Sequence, residues 1–270
     1  MKTCTLKIFD KFLQINCQNN IIYDAIIANF GCFQFDGHVD SFDFVYDLVQ
    51  GTSESTYSII RNQVHEIHCE DLYSLVYWLE KDITIEMQHL CGSLFFMHGA
   101  ALEKQGKVVL LTGESGAGKS TTTWGLLNNG FNYLSDELAP INLDTMHVSP
   151  YPHAVCLKSH PPLYPLPEET LKTAHTMHVP VEFLPCRAHL EALPLTKVII
   201  VQYSADNTVP VLTKLSSAAA CMNIYANGLN QLAHEKDGLA AASKIAENCE
   251  CYLLAAAKLD ETCELINTLF

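Results

Sequence analysis

The sequence has little arginine: two residues, Arg61 and Arg187, in a chain of 270. Positive charge is scarce altogether, with 16 Lys and Arg against 30 Asp and Glu and a formal net charge of −14. A nucleic-acid surface needs many basic groups to displace counterions, so that partner is disfavoured. Long apolar runs are missing too. Although 49% of the residues are hydrophobic, no stretch approaches the roughly 20 apolar residues of a membrane span. The first residues, MKTCTLKIFDKFLQINC, alternate as a strand does and lack a signal peptide's apolar block. The expectation is a soluble protein retained in the cytoplasm. Internal repeats and low-complexity tracts are also absent, which excludes a solenoid.

Cysteine is plentiful, at eleven. The number is odd and no secretory signal accompanies it, so reduced thiols acting as small hydrophobes are expected rather than a disulfide scaffold.

Two sections are expected. Residues 1–90 read as a small α/β section. Its predicted elements are a hairpin turning near Asp10-Lys11, a helix ending near Gly31, two strands (SFDFVYDLV and STYSIIRN) around a Gly51-Thr52-Ser53 turn, and a helix over EDLYSLVYWLEKDITIEMQHL. Residues 91–270 carry the motifs. "SLFFMHGAAL" and "KVVLLTG" read as a hairpin around Glu103 to Gly106, and "KSTTTWGLLNNG" as a short helix capped by Gly130. "FNYLSDELAPINL" and "MHVSPY" then read as two strands. Nine of the eleven prolines and six histidines fall in or beside 150–194, which is read as mostly loop. A buried strand "TKVIIVQY", two helices, a strand "CYLLAA" and a terminal helix follow.

Gly113-Glu114-Ser115-Gly116-Ala117-Gly118-Lys119-Ser120 fits G-x-x-x-x-G-K-[ST], the phosphate-binding loop. Its glycines let the backbone wrap closely around anionic oxygens. The amides from Gly116 to Ser120 sit at the start of a helix, where the dipole favours phosphate. In this pattern Lys119 meets the β- and γ-phosphates of ATP and the Ser120 hydroxyl ligates Mg²⁺, with Thr121 beside them. An acidic protein must make its positive potential locally, and such a loop does so.

Downstream lies an acid pair, Asp136-Glu137, where phosphate-loop proteins hold a metal-linked carboxylate. Adjacent residues on a strand face opposite sides, so the two cannot share one job unless the strand has ended. His98, in the strand before the loop, is placed by hairpin arithmetic opposite Thr112, within a residue of register. A further cation is wanted on the transferring phosphoryl group, and Lys158 and Arg187 are the candidates. His175, His178, Cys186 and His189 have zinc-type side chains. No C-x-x-C pair accompanies them, and proline breaks the helix that would align His175 with His178.

With these residues assembled, the chain resembles the HPr kinase/phosphorylase family, and within it the shorter HPr-kinase-like relatives. "MHGAALEKQGKVVLLTGESGAGKS" is similar to that family's His-Gly strand, turn and phosphate loop, "YLSDELAPI" to its acidic segment, and "YPHAVCLK" to the Tyr-Pro…Leu-Lys stretch of the short relatives. The likeness covers about residues 91–270. It departs at Thr121, where HPr kinases commonly have glutamate, and lacks their Arg-Gly-x-Gly core. The resemblance implies a fold shared with ATP-type phosphoenolpyruvate carboxykinases, that is, a phosphate-loop domain of α/β class with α+β character and mixed sheets. It implies Asp136 as the base, Glu137 as the second acid and Mg²⁺ ligand beside Ser120, His98 near the base, and Lys158 as the added cation. It also implies kinase activity toward a serine or threonine of a peptide or small protein, including ribosomally made precursor peptides. A small-molecule hydroxyl as acceptor, and a nucleotide-sensing regulator without turnover, stay open, as does a homo-oligomer.

Overall fold

Alternating apolar residues build the first layer. In β1 (Lys2–Ile8) and β2 (Lys11–Cys17), Leu6, Ile8, Leu13 and Ile15 are fully buried at every second position. The two strands form the expected hairpin, with Ile8 opposite Lys11. After α1 (Asn20–Phe30), β3 (Phe44–Gln50) pairs β2 in parallel, and β4 (Tyr57–Arg61) and β5 (His65–Cys69) complete the order β1-β2-β3-β4-β5. The sequence reading passed over β5 because HEIHC shows little apolar alternation. The helix α2 (Leu72–Leu90) is capped by the Asp71 side chain, which accepts from the Ser74 amide, and it lays Leu75, Val76, Leu79, Ile83 and Met87 into the core. The computed structural model describes residues 1–51, 55–172, 176–231 and 238–270. The expected turn at Thr52-Ser53, the start of the helix expected from Ala233, and His175 lie outside the described residues.

The second layer is organised by β6 (Leu94–Lys104) and β7 (Lys107–Thr112), an antiparallel hairpin. Its turn residues Gln105 and Gly106 both have positive φ, 54° and 74°, which matches the twist of the flanking strands. The register sets Gly99, not His98, opposite Thr112, a one-residue correction to the hairpin arithmetic. After α3 (Lys119–Leu127), the expected long strand is broken into β8 (Asn132–Ser135) and β9 (Leu138–Asn142) at the acid pair. Both halves pair antiparallel with β6. The short β10 (His147–Val148) folds back on β9.

The proline-rich stretch is more ordered than its composition suggests. It holds a three-stranded sheet of β11 (Val155–Leu157), β12 (Leu171–Lys172) and β13 (Met177–Val179), in the order β11-β13-β12. The buried β14 (Leu193–Tyr203) then pairs β7 in parallel. Next come β15 (Val211–Lys214), which the sequence reading missed, and α4 (Ser217–Ala226), α5 (Gly238–Asn248), β16 (Glu250–Ala256) and α6 (Leu259–Asn267). Among the described residues the large sheet runs β10-β9-β6-β7-β14-β16-β15, with β8 also on β6.

Alternate side chains of the sheet enter two cores. Ala100, Leu102, Val109, Leu111, Ile199 and Val201 meet Trp124, Leu126 and Cys263 from α3 and α6. Ala101, Val108, Leu110, Val198 and Ile200 meet Ala220, Ile224, Ala242 and Ile245 from α4 and α5. A third core belongs to the first layer but takes in Leu94, Phe96, Leu138 and Tyr151 from beyond residue 90. All eleven cysteines are free thiols, and no described helix is long and apolar enough to cross a membrane.

Candidate active site

The loop between β7 and α3 takes the conformations that its glycines permit. Gly113, Gly116 and Gly118 have φ of 144°, 84° and 91°, values that other residues reach only with strain. Gly118 is the residue from which α3 departs. The chain thus turns inward and presents the first turn of α3, with its unpaired amides, to the solvent side. Lys119 reaches back across the loop, its Nζ donating to the carbonyls of Gly113 at 2.9 Å and Glu114 at 3.0 Å. It is buried, and burial lowers its affinity for a proton while Glu137 and Asp136 oppose that fall.

Where β8 ends, the acid pair makes a tight turn. The Leu138 amide donates to the Asp136 carbonyl at 2.9 Å, across Glu137, which has a φ of 71°. An i to i+2 bond around a residue of positive φ is the rarer, strained form of γ-turn. Because the strand is interrupted there, the two carboxylates go to different surroundings. Asp136 is 1% exposed, and its Oδ2 accepts the Cys156 amide at 3.4 Å. Burial pushes its carboxyl up to about 7, and the neighbouring Glu137 charge adds to the rise. Glu137 turns to the pocket, where His98 Nε2 stands 3.3 Å from its Oε2. An ionised carboxylate only accepts, so the imidazole donates. That bond, against the cost of burial, holds the Glu137 carboxyl down to about 2.

His98 is positioned by the middle of β6. Its amide donates to the Asn227 carbonyl at 2.9 Å, and its carbonyl accepts the Thr112 hydroxyl at 2.8 Å. Lys158 follows β11, and its Nζ donates to the Ser115 hydroxyl at 3.0 Å. These groups close one pocket of about 160 Å³, lined by His98, Glu137, Lys158, Lys119, Ser120, Thr121 and the loop backbone, with Leu157 and Ser159. The Ser120 hydroxyl and the ionised Glu137 carboxylate are both hard oxygen donors, the type that suits Mg²⁺.

Other expected groups lie elsewhere. Arg187 is exposed, and its carbonyl accepts the Tyr133 amide near the far end of β8 from the acid pair; it does not line the pocket. Arg61 is taken up by Asp82 and Glu86 of α2. His189 Nε2 pairs with Glu103 at 3.0 Å, and His178 Nε2 with the Thr176 hydroxyl at 2.9 Å. Among the described residues no three His, Cys, Asp or Glu gather as a group that could hold a metal ion. Sequence reasoning missed Leu157, Ser159 and Cys156. The signal for them was adjacency to Lys158, since Leu157, Lys158 and Ser159 line the pocket together at the end of β11.

No protein-family model matches the chain, and no curated protein does. Among solved structures it is similar to an HPr(Ser) kinase/phosphatase from Coxiella burnetii, at 14% identity and a TM-score of 0.34, over 64% of this chain and 96% of that one. This is a distant structural relationship.

Proposed function

We propose that the protein is an ATP-dependent phosphotransferase that passes the γ-phosphoryl group to a hydroxyl, that of a serine or threonine in a peptide or small protein. One observation carries this reading. A phosphate loop with its lysine and serine, a second lysine and Glu137 of the acid pair all border the same pocket, and Asp136 is buried next to Glu137 in the chain. Phosphoryl transfer needs positioning and charge stabilisation more than covalent chemistry, and the pocket has groups suited to both.

In this reading the loop amides and Lys119 cradle the triphosphate, and Lys158 follows the transferring group. Ser120 and Glu137 would hold Mg²⁺, which when bound neutralises charge on the phosphate oxygens. Asp136 accepts the acceptor hydroxyl's proton, because a carboxylate whose pKa is near 7 is matched to that task at neutral pH. His98 keeps Glu137 ionised. A second assignment is favoured by one fact: Glu137 lines the pocket and Asp136 lies behind it. In that version Glu137 orients the hydroxyl and Asp136 tunes it.

Incubation with γ-labelled ATP, Mg²⁺ and cell lysate tests the proposal. Labelled protein or peptide is expected, and labelled small molecules alone would move the acceptor class to metabolite hydroxyls. Asp136→Asn is expected to bind nucleotide normally and lose on the order of 100-fold or more in turnover. Full turnover in Asp136→Asn with loss in Glu137→Gln would exchange the two roles. Nucleotide binding with no transfer to any acceptor would leave a nucleotide-sensing regulator.

A further inference from the structure

Behind the acid pair stands a histidine that the chemistry above does not use. His153 is 1% exposed, and its Nε2 lies 2.6 Å from the carbonyl oxygen of Asp136. A carbonyl only accepts, so Nε2 carries the proton and donates it. The residue is held by its main chain as well as its ring. The Tyr133 hydroxyl donates to the His153 carbonyl at 2.9 Å, the His153 amide donates to the Tyr151 carbonyl at 2.9 Å, and the ring meets Tyr151 edge-on at 5.1 Å.

The same Asp136 carbonyl also takes the Leu138 amide across Glu137 at φ 71°. A glutamate in that region persists only where its surroundings over-determine it. With two donors on one oxygen, the peptide plane joining Asp136 to Glu137 cannot rotate without losing both bonds. That plane decides where each carboxylate points.

We infer that His153 is the positioning residue of the acid pair: its Nε2–H bond to the Asp136 carbonyl holds the turn that sends Asp136 inward and Glu137 into the pocket. Its consequence for turnover rests on the kinase reading, whereas its consequence for geometry does not. Loss of the imidazole leaves the carbonyl its Leu138 partner, so no buried acceptor is orphaned. The effect should therefore appear in orientation more than in stability.

The test compares His153→Phe, which fills the space without a donor, with His153→Gln, whose amide can donate to the same oxygen. Turnover is followed as label passed from γ-labelled Mg·ATP to the acceptors of a cell lysate, against a control without the protein, alongside the affinity for a fluorescent ATP analogue, melting temperature and a crystal structure of each variant. Misplacing the pair should cost roughly 100-fold in turnover in His153→Phe. Nucleotide affinity should be unchanged, Glu137 should relax to negative φ, and His153→Gln should recover most of the loss. Should His153→Phe fail to fold, His153→Asn, polar but too short to reach, replaces it under the same expectations. The inference is overturned if the donor-less variant keeps wild-type turnover, if His153→Gln is as impaired as it, or if the turn keeps its φ without the histidine. If the wild-type protein itself passes no label to any acceptor, the kinase reading falls, and the inference is decided by the φ of Glu137 alone.

Discussion

Asp136 and Glu137 are neighbours in sequence whose proton affinities are driven apart, and their contributions to stability have opposite signs. Glu137, lowered from 4.5 to about 2, contributes stability that is present above its unfolded value and lost as pH falls toward 2. Asp136, raised from 3.8 to about 7, binds its proton more tightly when folded. Stability therefore falls as pH rises between those two values and is level beyond them. Asp136→Asn removes that penalty. Its unfolding free energy should match wild type near pH 4 and exceed it increasingly up to pH 7, by an amount on the order of a few kcal/mol at most, with its melting temperature rising in step. Thermal unfolding at several pH values checks this, and a constant difference would show that the carboxyl is not desolvated. At His98 the expectation concerns function. Without its hydrogen bond Glu137 rises toward the ordinary carboxylate range, so His98→Phe should lose affinity for Mg·ATP as pH falls toward that range, where the wild-type protein keeps it.

The strand β6 does the work of two elements. Its second half pairs β7 on one edge, and along its length β8 and β9 lie on it as well. Gly99 stands where these meet, and a Cβ built there would lie 2.3 Å from the Leu111 carbonyl oxygen. Gly99→Ala should therefore cost on the order of 3 kcal/mol in urea unfolding. Gly106→Asn, at a turn with open space around it, should cost little, because asparagine tolerates positive φ. Much of this layer was legible in the sequence. The loop, the hairpin and α3 announce themselves through glycine spacing and apolar alternation, and the register of His98 was one residue out. The break at Asp136-Glu137 was not legible. A run such as NYLSDELAPIN alternates well enough to pass for one strand, and the turn inside it is imposed by His153, 17 residues beyond Asp136 and across the Ser135–Tyr151 bridge. Arg187 misled for a related reason, since charge type alone says nothing of which end of β8 a residue reaches.

At the scale of the molecule, the 1–90 and 91–270 sections share a core, with Tyr151 and Phe96 packed among Ile83, Leu79 and Phe33. A chain beginning at residue 91 would expose that face, and is expected to aggregate or to lose its cooperative unfolding transition in calorimetry. The full chain should unfold in one transition. The two ends of the chemistry are also joined through adjacent residues of one strand. Thr112, the last residue before the loop, is bonded to the His98 carbonyl, and the Gly99 amide donates to the Glu137 carbonyl at 3.3 Å. The glycine loop and the carboxylate turn are thus fastened to the same two residues, like jaws on one caliper. A caliper measures length. Affinity should step with the number of phosphates, from adenosine mono- to di- to triphosphate, and gain nothing from a fourth, whichever base the nucleotide carries; calorimetric titration of that series would read the setting of the jaws.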